Sequence, residues 1–475
     1  MIGRLAVRSL TAHPVRSGVL AAGFGAGVGV MAILLGVADV VLEQSTAPGL
    51  AGGGDVVVSL APQVPARLVM AWTLQGDTVR SRVRVAAPKD FSRMHLVRSG
   101  GALEVDAVGE IPSLQRRLGD PTIEQIAAWR DTPADTEWTQ DSPGAVLRFI
   151  DRFHPVPDAP DWADSWAEWL YFNGRAGDTR FYLTFLVGPA AEGGGRSAGV
   201  RLQLDRGNGV ETYAAPARLS DEEVLSAPNL TIGASSVRLE GMRYQIHLDL
   251  PGANGRHVRG DLTLDAAPGR LIPPFEITGA RGWRTGYVVP VMAGELGGRL
   301  DIDGSTIALD DGRGYHDHNW GFWEGVSWQW GQVQHEDLSL IYGRVFPPPE
   351  AADPERLPVF VGVIGPAGPL GYANSLRTTP GDTSVVTIRE TDDARGVPQQ
   401  VSVVARSGVL DLELTFQVES RVASQGTPGS GPARGRLDFL QMRGTYTVTG
   451  RAGGRALNFS APGSAETFRG APPTP

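Results

Sequence analysis

The sequence predicts a mainly β protein with two β units in tandem, preceded by one N-terminal membrane-spanning helix. Apolar and polar residues alternate with a period of two in many short segments after residue 166, as they do in strands with one buried face. The 62 glycines and 35 prolines among 475 residues favour short strands joined by turns over long helices. An uncharged apolar run near the N-terminus predicts the helix.

The composition excludes several classes of site. The net charge of −9 argues against nucleic-acid binding, which requires a basic face. The chain has no cysteine, so it contains no disulfide, thiolate metal site or cysteine nucleophile. We also find no nucleotide-binding fingerprint, Walker loop, zinc-protease motif or serine-hydrolase elbow. The hydrophobic content of 41% predicts a folded chain.

The first element in chain order is the predicted membrane span, residues 18–38, which contains 21 residues without a charge. At a rise of about 1.5 Å per residue it is about 30 Å long, the thickness of a bilayer core. Arginines precede the span, whereas Asp39 and Glu43 follow it. The positive-inside rule then places the N-terminus in the cytoplasm and the rest of the chain outside.

These signals divide the N-terminal third into four segments. We predict a cytoplasmic N-terminus (1–17), a single-pass anchor in a bacterial inner membrane (18–42), a linker (43–54) and a mixed membrane-proximal region (55–165). A cleaved signal peptide is the alternative to the anchor. The apolar run is longer than the usual signal-peptide core of about 7–15 residues, and no clear cleavage site follows it. The prediction therefore places the β units outside the cytoplasm, in the periplasm.

The alternating segments that follow are predicted to be strands. They cover residues 180–187, 199–205, 244–250, 260–265, 325–334, 338–344, 409–419 and 443–450. Many strands at short spacing favour a barrel or a sandwich. A proline-rich break, FPPPEAADPERLP, divides the region. We place the first β domain at 166–346 and the second at 347–475.

Two clusters rich in aromatic residues are candidates for chemistry. The first is EWLYFNG at 168–174, and the second is GRGYHDHNWG at 312–321, followed by Trp323, Trp328 and Trp330. If the second cluster is extended, Tyr315, Asp317 and Asn319 share one face. A carboxyl group beside a phenol and indoles has a pKa raised by desolvation and can donate a proton near neutral pH. The alternative is a buried aspartate satisfied by turn amides, with the tryptophans as core.

The opposite face of the second cluster carries His316, His318 and Trp320. Two histidines at i and i+2 can be metal ligands, and His335, Glu324 or Glu336 would complete the set. The spacing fixes no third ligand, and paired histidines more often hydrogen-bond in a core or line an interface. We therefore predict no metal and no other cofactor.

The two clusters together resemble the carotenoid 1,2-hydratase (hydroxyneurosporene synthase) and AttH-like superfamily, from about residue 166 to the C-terminus and most closely over 283–346. Fungal pericyclic cyclases are more distant relatives. The resemblance implies two lipocalin-like antiparallel β-barrels in tandem. It also implies that Asp317 is the acid that protonates an alkene, with Tyr315 as its neighbour. The hydratases carry a His-x-Trp pair upstream, where this chain offers Thr285 and Tyr287.

The resemblance implies an apolar pocket inside the barrels. Its predicted lining is Trp169, Tyr171, Asn173, Tyr287, His316, His318, Asn319, Trp320, Trp323, Trp328 and Trp330. Such a pocket would admit a lipid or an isoprenoid.

Three functions remain open at this stage. The N-terminal run RSLTAHPVRSGVLAAGFGAGVGVMAILLG is similar to the first membrane helix of MacB/FtsX-type ABC-transporter permeases. Our main prediction is therefore a membrane-anchored protein that binds a hydrophobic ligand beside the permease or ATPase of an ABC-type exporter. A cofactor-independent hydratase or cyclase is the alternative. A scaffold whose aromatic surface docks a membrane partner is the third.

Overall fold

The computed structural model describes residues 81–98, 101–119, 142–207, 209–375, 384–394, 396–425 and 437–470, with a few single positions between 66 and 80 and between 130 and 135. The predicted N-terminus, anchor and linker (1–54) lie outside these residues. Within the described residues, no helix has both the length and the apolar character needed to cross a membrane. The chain forms two compact units, and Val85–Thr136 belongs to the first and Glu137–Pro475 to the second.

The first unit contains a hairpin and a helix. Strands β1 (Lys89–Arg98) and β2 (Gly101–Glu110) pair antiparallel, and an ion pair of 2.7 Å joins Lys89 to Glu110. Helix α1 (Pro112–Leu118) follows. Proline suits its first position because that residue's N–H has no partner within a helix. The helix ends at Gly119, which has a left-handed φ of 84°.

The second unit opens with helix α2 (Pro143–Ile150), which packs against the first large sheet. The Ser142 hydroxyl caps it by accepting a hydrogen bond from the Ala145 amide at 3.1 Å. Val146 and Leu147 are fully buried in the apolar core of that sheet. Part of the region that we predicted to be membrane-proximal therefore belongs to the first β domain.

The first sheet contains twelve strands. They are β3 (Trp166–Ala176), β4 (Thr179–Ala190), β5 (Arg196–Asp205), β6 (Val210–Leu219), β7 (Leu230–Ile232), β8 (Ser235–Glu240), β9 (Arg243–Pro251), β10 (His257–Asp265), β11 (Ile272–Thr278), β12 (Arg284–Ile302), β13 (Ser305–Ala308) and β14 (Gly312–Phe322). A short helix, α3 (Asp221–Val224), joins β6 to β7. Single 3₁₀ turns lie at Ala163–Ser165, Ala253–Gly255 and Ala280–Gly282.

The first sheet curls into a nearly closed barrel. Its strand order is β6-β5-β4-β3-β14-β12-β10-β9-β8-β7, and β11 and β13 both pair with β12. An isolated bridge from Tyr213 in β6 to Gly252, directly after β9, brings the two ends of the sheet together. Strand β14, which carries the GYHDHNWG motif, lies in the middle of the sheet between β3 and β12.

The second sheet has nine strands in the order β18-β17-β16-β15-β23-β22-β21-β20-β19. They are β15 (Ser327–His335), β16 (Leu338–Phe346), β17 (Phe360–Gly365), β18 (Gly368–Asn374), β19 (Val385–Asp392), β20 (Pro398–Arg406), β21 (Leu410–Gln425), β22 (Leu437–Ala452) and β23 (Arg455–Gly470), with a 3₁₀ turn at Pro354–Arg356. The end strands β18 and β19 contact each other, so this sheet also curls toward closure. The predicted mainly β class with two tandem antiparallel barrels is confirmed.

Each of the eight predicted strands corresponds to an observed strand, but the boundary between the barrels differs from the prediction at residue 346. Strands β15 and β16 pair with the second sheet, so the chain passes between barrels after Phe322. The proline-rich segment joins β16 to β17 and is a loop within the second barrel. Proline is frequent in loops within a domain as well as between domains, so a proline-rich break cannot distinguish a loop from a domain boundary.

Side chains fill the interior of both barrels. In the first, Phe181, Leu183 and Phe185 of β4 point into the core, whereas the alternate residues of this strand face outward. In the second, Leu412 and Phe416 belong to the corresponding core. A third apolar cluster lies between the barrels and includes residues from both sheets.

Candidate functional site

A cavity with a volume of about 570 Å³ lies between the outer faces of the two barrels. Residues of β3, β4, β5, β6, β12 and β14 line one wall, and residues of β15, β16, β17, β22 and β23 line the other. We predicted a cavity inside the barrels, and this location was wrong because side chains fill both barrel interiors. Ligand sites commonly occur at such interfaces between domains.

Three adjacent strands position the predicted acid at this cavity. Asp317 of β14 lies opposite Tyr171 of β3, and Asn319 lies opposite both Trp169 of β3 and Tyr287 of β12. Cross-strand partners point to the same face of a sheet. All five side chains therefore face the second barrel and line the cavity.

The carboxyl group of Asp317 is held by hydroxyl and amide donors. Tyr315 donates its hydroxyl hydrogen to Oδ2 at 2.9 Å, and Asn319 donates from Nδ2 to Oδ1 at 2.9 Å. The hydroxyl of Tyr287 lies 2.7 Å from that of Tyr315 and receives a hydrogen bond of 3.0 Å from Trp330 Nε1. A chain of donors thus runs from Trp330 through the two tyrosines to Asp317.

Burial raises the pKa of Asp317 well above its ordinary value, because only 3% of this residue is exposed. The hydrogen bond from Tyr315 opposes this shift because it favours the carboxylate. Burial also raises the pKa of Tyr315 and Tyr287 well above the ordinary value, so both phenols keep their protons. The arrangement favours the protonated form of a carboxyl group at the wall of the cavity.

Eight of the predicted site residues line the cavity. They are Trp169, Tyr171, Tyr287, Asp317, Asn319, Trp323, Trp328 and Trp330. Tyr315 lies on the same face of β14, where it is fully buried between the barrels beside Trp330 and donates a hydrogen bond to Asp317. Asn173 lies on the same face of β3 but borders a smaller, separate pocket, where Gln332 donates a hydrogen bond to it.

His316, His318 and Trp320 do not line the cavity, because β14 points alternate side chains to opposite faces. Both histidines are fully buried in the interior of the first barrel. The Trp320 ring stacks on His154 at a centroid distance of 4.4 Å. The prediction that these three residues line the pocket is corrected here, although their shared face was predicted correctly.

The buried histidines belong to a network of charged groups behind the cavity wall. His316 Nε2 lies 3.0 Å from Asp151 Oδ2, and His318 Nδ1 lies 3.3 Å from Asp151 Oδ1. The other ring nitrogen of His318 lies 2.8 Å from Glu168, which also accepts a hydrogen bond of 2.7 Å from His154. Asp151 follows directly on helix α2, so the network ties that helix to β14.

Electrostatics keeps this network charged. Burial alone would lower the pKa of His318, but hydrogen bonds and attraction from Asp151 and Glu168 outweigh it and raise the value to about 9. The two histidines likewise lower the pKa of Asp151 to about 2 despite its burial. His318 is therefore a cation between two carboxylates at neutral pH.

His154, Glu168 and His318 could also hold a metal ion, since one ligand atom from each lies within 4.8 Å of the others. This set differs from the one considered from the sequence, in which His335 or Glu336 was a third ligand. His335 stacks on Phe459 in the second barrel at 4.3 Å. Hydrogen bonds between the histidines and Glu168 already satisfy the ligand atoms, so we interpret the cluster as an ion-pair network.

Two glycines explain part of the motif. Gly321 has a φ of 149°, and a Cβ there would lie 2.7 Å from Thr285 Cα. Gly286 lies opposite Trp320, and a Cβ there would lie 2.0 Å from the indole. Each contact is shorter than van der Waals contact allows, so glycine is required where β12 and β14 approach.

Sequence reasoning missed most of the wall that the second barrel contributes, apart from Trp328 and Trp330 of β15. Glu466 and Gln441 line the cavity, together with Phe360, Phe439 and Phe468. Strand β23 was not predicted because its sequence, RALNFSAPGSAETFRG, contains an APG segment that is typical of a turn. An acid at an alternating position near the C-terminus is the signal that could have identified Glu466.

Comparison with known proteins adds limited information. No protein-family model and no curated protein matches the chain. Similar solved structures include CghA with Sch210972 (14% identity, TM-score 0.39, covering 69% of this chain and 94% of that chain). Kievitone hydratase from Nectria haematococca (13%, 0.41, 66% and 93%) and a putative AttH from Nitrosomonas europaea (15%, 0.37, 66% and 99%) are also similar. Similarity at these TM-scores does not indicate the function of this chain.

The geometry combines three chemical properties in one place. The cavity is large and mainly apolar, with many aromatic side chains, and its wall carries a carboxyl group whose pKa is raised well above its ordinary value by burial. The indoles of Trp169, Trp323 and Trp328 pack near one another beside that group. Such a site can bind an apolar molecule, donate a proton to it and stabilise a positive charge.

Proposed function

We propose that this protein is an enzyme that protonates a carbon–carbon double bond of a hydrophobic substrate, as a hydratase or a cyclase does. The observation that carries the proposal is the position of Asp317, a buried carboxyl group with a raised pKa at the wall of a cavity rich in aromatic side chains. Isoprenoids and polyenes are the substrate class that fits such a lining. The chemistry requires a proton donor and a means of stabilising a carbocation.

The donors around Asp317 suit the proton transfer. When the carboxyl group gives up its proton to an alkene carbon, the carboxylate that remains keeps the hydrogen bonds from Tyr315 and Asn319. These donors are in place before the reaction, so they stabilise the new charge without rearrangement. The carbocation then faces the π surfaces of the tryptophans, which attract cations by about 0.5–2 kcal/mol each.

Deuterium labelling tests the proposed reaction. The full-length protein is incubated in D₂O with acyclic isoprenoids that carry terminal trisubstituted double bonds, and the products are analysed by mass spectrometry. We expect one deuterium on the protonated carbon, and we expect Asp317→Asn to abolish its incorporation. If the wild-type protein binds these compounds but incorporates no deuterium, the proposed enzymatic function is rejected.

A non-enzymatic carrier is the second candidate, because the same cavity could bind a lipid or an isoprenoid without reaction. Mass spectrometry of lipids that copurify with the protein would identify a natural occupant. Anchoring by residues 18–42 and association with an ABC-type exporter stay predictions from the sequence. Copurification with a permease or an ATPase tests them independently of catalysis.

The volume of the cavity is expected to limit the size of the ligand. Ala214 lies on the edge strand β6 opposite Arg201 of β5, and both residues line one side of the cavity. Replacing it with tryptophan is expected to weaken the binding of a C₂₀ or longer isoprenoid by at least about tenfold, because the indole occupies part of the cavity. Titration of tryptophan fluorescence measures the affinity. Val210→Trp is the control on the same strand, since Val210 is 38% exposed and does not line the cavity.

The pH dependence of activity is expected to follow Asp317. The active form of Asp317 is protonated, so activity falls as pH rises through the raised pKa of this group. The hydrogen bond from Tyr315 lowers that pKa, so Tyr315→Phe should move the fall in activity to higher pH. Tyr446→Phe is the matched control, because this buried tyrosine hydrogen-bonds inside the second barrel. Equal pH profiles for the two variants would contradict the role of Tyr315.

A further inference from the structure

The cavity contains a second buried carboxyl group, Glu466, on the wall that the second barrel contributes. Glu466 is on β23 and lies opposite Trp330 of β15. Glu466 is 9% exposed. Among the described residues, no lysine, arginine or histidine donates a hydrogen bond to its carboxyl group. A buried carboxyl group without a cationic partner is costly, and such groups are often retained for function.

Three neutral donors surround Glu466. Tyr171 and Gln441 each donate a hydrogen bond of 3.2 Å to Oε1, and Trp328 Nε1 donates one of 3.1 Å to Oε2. Burial raises the pKa of Glu466, and these donors oppose that shift because an indole N–H and an amide NH₂ can only donate and so favour the carboxylate. All three donors also line the cavity, as Asp317 does.

The two carboxyl groups influence each other across the cavity. The charge of Glu466 contributes to raising the pKa of Asp317, because two like charges in one desolvated site are unfavourable. One ionised and one protonated group is therefore the favoured state of the pair. Both groups accept hydrogen bonds from three neutral donors, and burial raises the pKa of both. The pKa of Asp317 stands well above its ordinary value, so we assign the proton to Asp317 and the negative charge to Glu466.

We propose that Glu466 is the general base of the reaction and takes a proton from the water that attacks the carbocation. This inference rests on the proposed function and assigns its second catalytic residue. Asp317 belongs to the first barrel and Glu466 to the second, so the reaction requires both barrels. A catalytic role for this glutamate also explains why a charge is buried in an otherwise aromatic wall.

The step is balanced in atoms and charge. The Asp317 O–H bond breaks, and the π electrons of the alkene form a new C–H bond, which leaves a carbocation and a carboxylate. The oxygen of a water molecule then bonds to the cationic carbon, and one of its protons passes to Glu466. Transfer of that proton from Glu466 to Asp317 through water restores both groups. The net reaction is the addition of water to a double bond.

Infrared spectroscopy of the resting full-length protein tests the assignment without a substrate. At pH 7 we expect a band from a buried protonated carboxyl group that is lost in Asp317→Asn and retained in Glu466→Gln. Loss of the band in Glu466→Gln but not in Asp317→Asn would show that the roles are reversed and would overturn the inference. A spectrum with no such band would reject the acid role of Asp317, and with it the proposed function.

Binding of a carbocation mimic tests whether the negative charge faces the cavity. We use N,N-dimethyldecylamine, which is protonated at pH 7, and 1-decanol as the uncharged ligand of equal chain length. Glu466→Gln should weaken binding of the amine by at least about tenfold and change binding of the alcohol by less than about threefold, and Glu466→Asp should restore part of the preference. Equal losses for both ligands would indicate a structural role for Glu466 and overturn the inference, while the deuterium experiment would still stand.

Discussion

Asp317→Asn is expected to reduce turnover of an isoprenoid substrate by about 10²–10⁴-fold, the range that general acid catalysis contributes. Asparagine has nearly the same shape and keeps a carbonyl oxygen that can accept the hydrogen bond from Tyr315. It has no acidic proton at neutral pH, so protonation of the alkene stops while the cavity keeps its form. Single-turnover kinetics with the deuterium readout measures the effect.

Ligand binding separates this effect from misfolding. The affinity of Asp317→Asn for an isoprenoid should stay within about threefold of the wild type, because the tryptophans and phenylalanines of the cavity provide most of the contact. Asp261→Asn is the control for a charge change, since Asp261 lies on the outside of the barrel with 79% of its side chain exposed. Full activity in Asp317→Asn would remove the acid role and leave the carrier as the better interpretation.

The part of the site that lies on the first barrel could be predicted because it is encoded locally. A period of two in residues 315–320 is enough to place Tyr315, Asp317 and Asn319 on one face, and the structure has them there. The strands were predicted for the same reason, because the alternation of apolar and polar residues indicates which face of a strand is buried. The partner strand β3 appeared as the aromatic cluster at 168–174.

The remainder depends on contacts between residues far apart in the chain, which local patterns do not record. Tyr171 and Glu466 are 295 residues apart and meet only because the outer faces of the two barrels approach each other. The alternating pattern of β4 separates a face that points into the barrel from a face that points outward. The outward face carries the apolar side chains of Tyr182 and Leu186, so its residue types do not mark it as a solvent-exposed face. The sequence therefore did not indicate that the cavity lies between the barrels.

The ion-pair network behind the wall was missed for a related reason. His316 and His318 suggested a metal site when considered as a pair, whereas their actual partners come from segments about 150 residues upstream. Asp151 follows a helix and Glu168 belongs to the first aromatic cluster, and neither has a spacing that connects it to the histidines. Only the closed barrel brings the four groups together.

The same network of buried charged groups is expected to stabilise the folded protein. Asp151→Asn is expected to lower the free energy of unfolding by about 3–5 kcal/mol, the usual cost of removing one partner from a buried ion pair. Asp151 accepts hydrogen bonds from Tyr244 at 2.8 Å and from His316 at 3.0 Å, and all three residues are fully buried. Urea denaturation followed by tryptophan fluorescence measures the loss.

The exposed pair Arg406–Asp411 provides the matched control. Its side chains are 57% and 70% exposed, so Asp411→Asn should change the free energy of unfolding by less than about 1 kcal/mol. A similar small effect for Asp151→Asn would show that the buried contacts do not stabilise the fold.

The dependence of stability on pH provides an independent test, and its sign follows from the direction of each shift. His318 has its pKa raised from 6.5 to about 9, so its contribution is complete below about pH 6.5 and is lost as pH rises through 9. That shift corresponds to about 3 kcal/mol. Asp151 has its pKa lowered from 3.8 to about 2, so its contribution is present above about pH 4 and is lost as pH falls toward 2.

The contribution of this network to the stability of the wild-type protein should therefore be largest between about pH 4 and 6.5. It should decrease as pH rises above that range. Asp151→Asn should flatten the alkaline decline, because His318 then keeps only Glu168 as an anionic partner. An unchanged slope between pH 6.5 and 9 would contradict a charged His318. Since His316 and His318 flank Asp317 on β14, a loosened network should also displace the acid, so the same variant is expected to lose activity under conditions in which it is still folded.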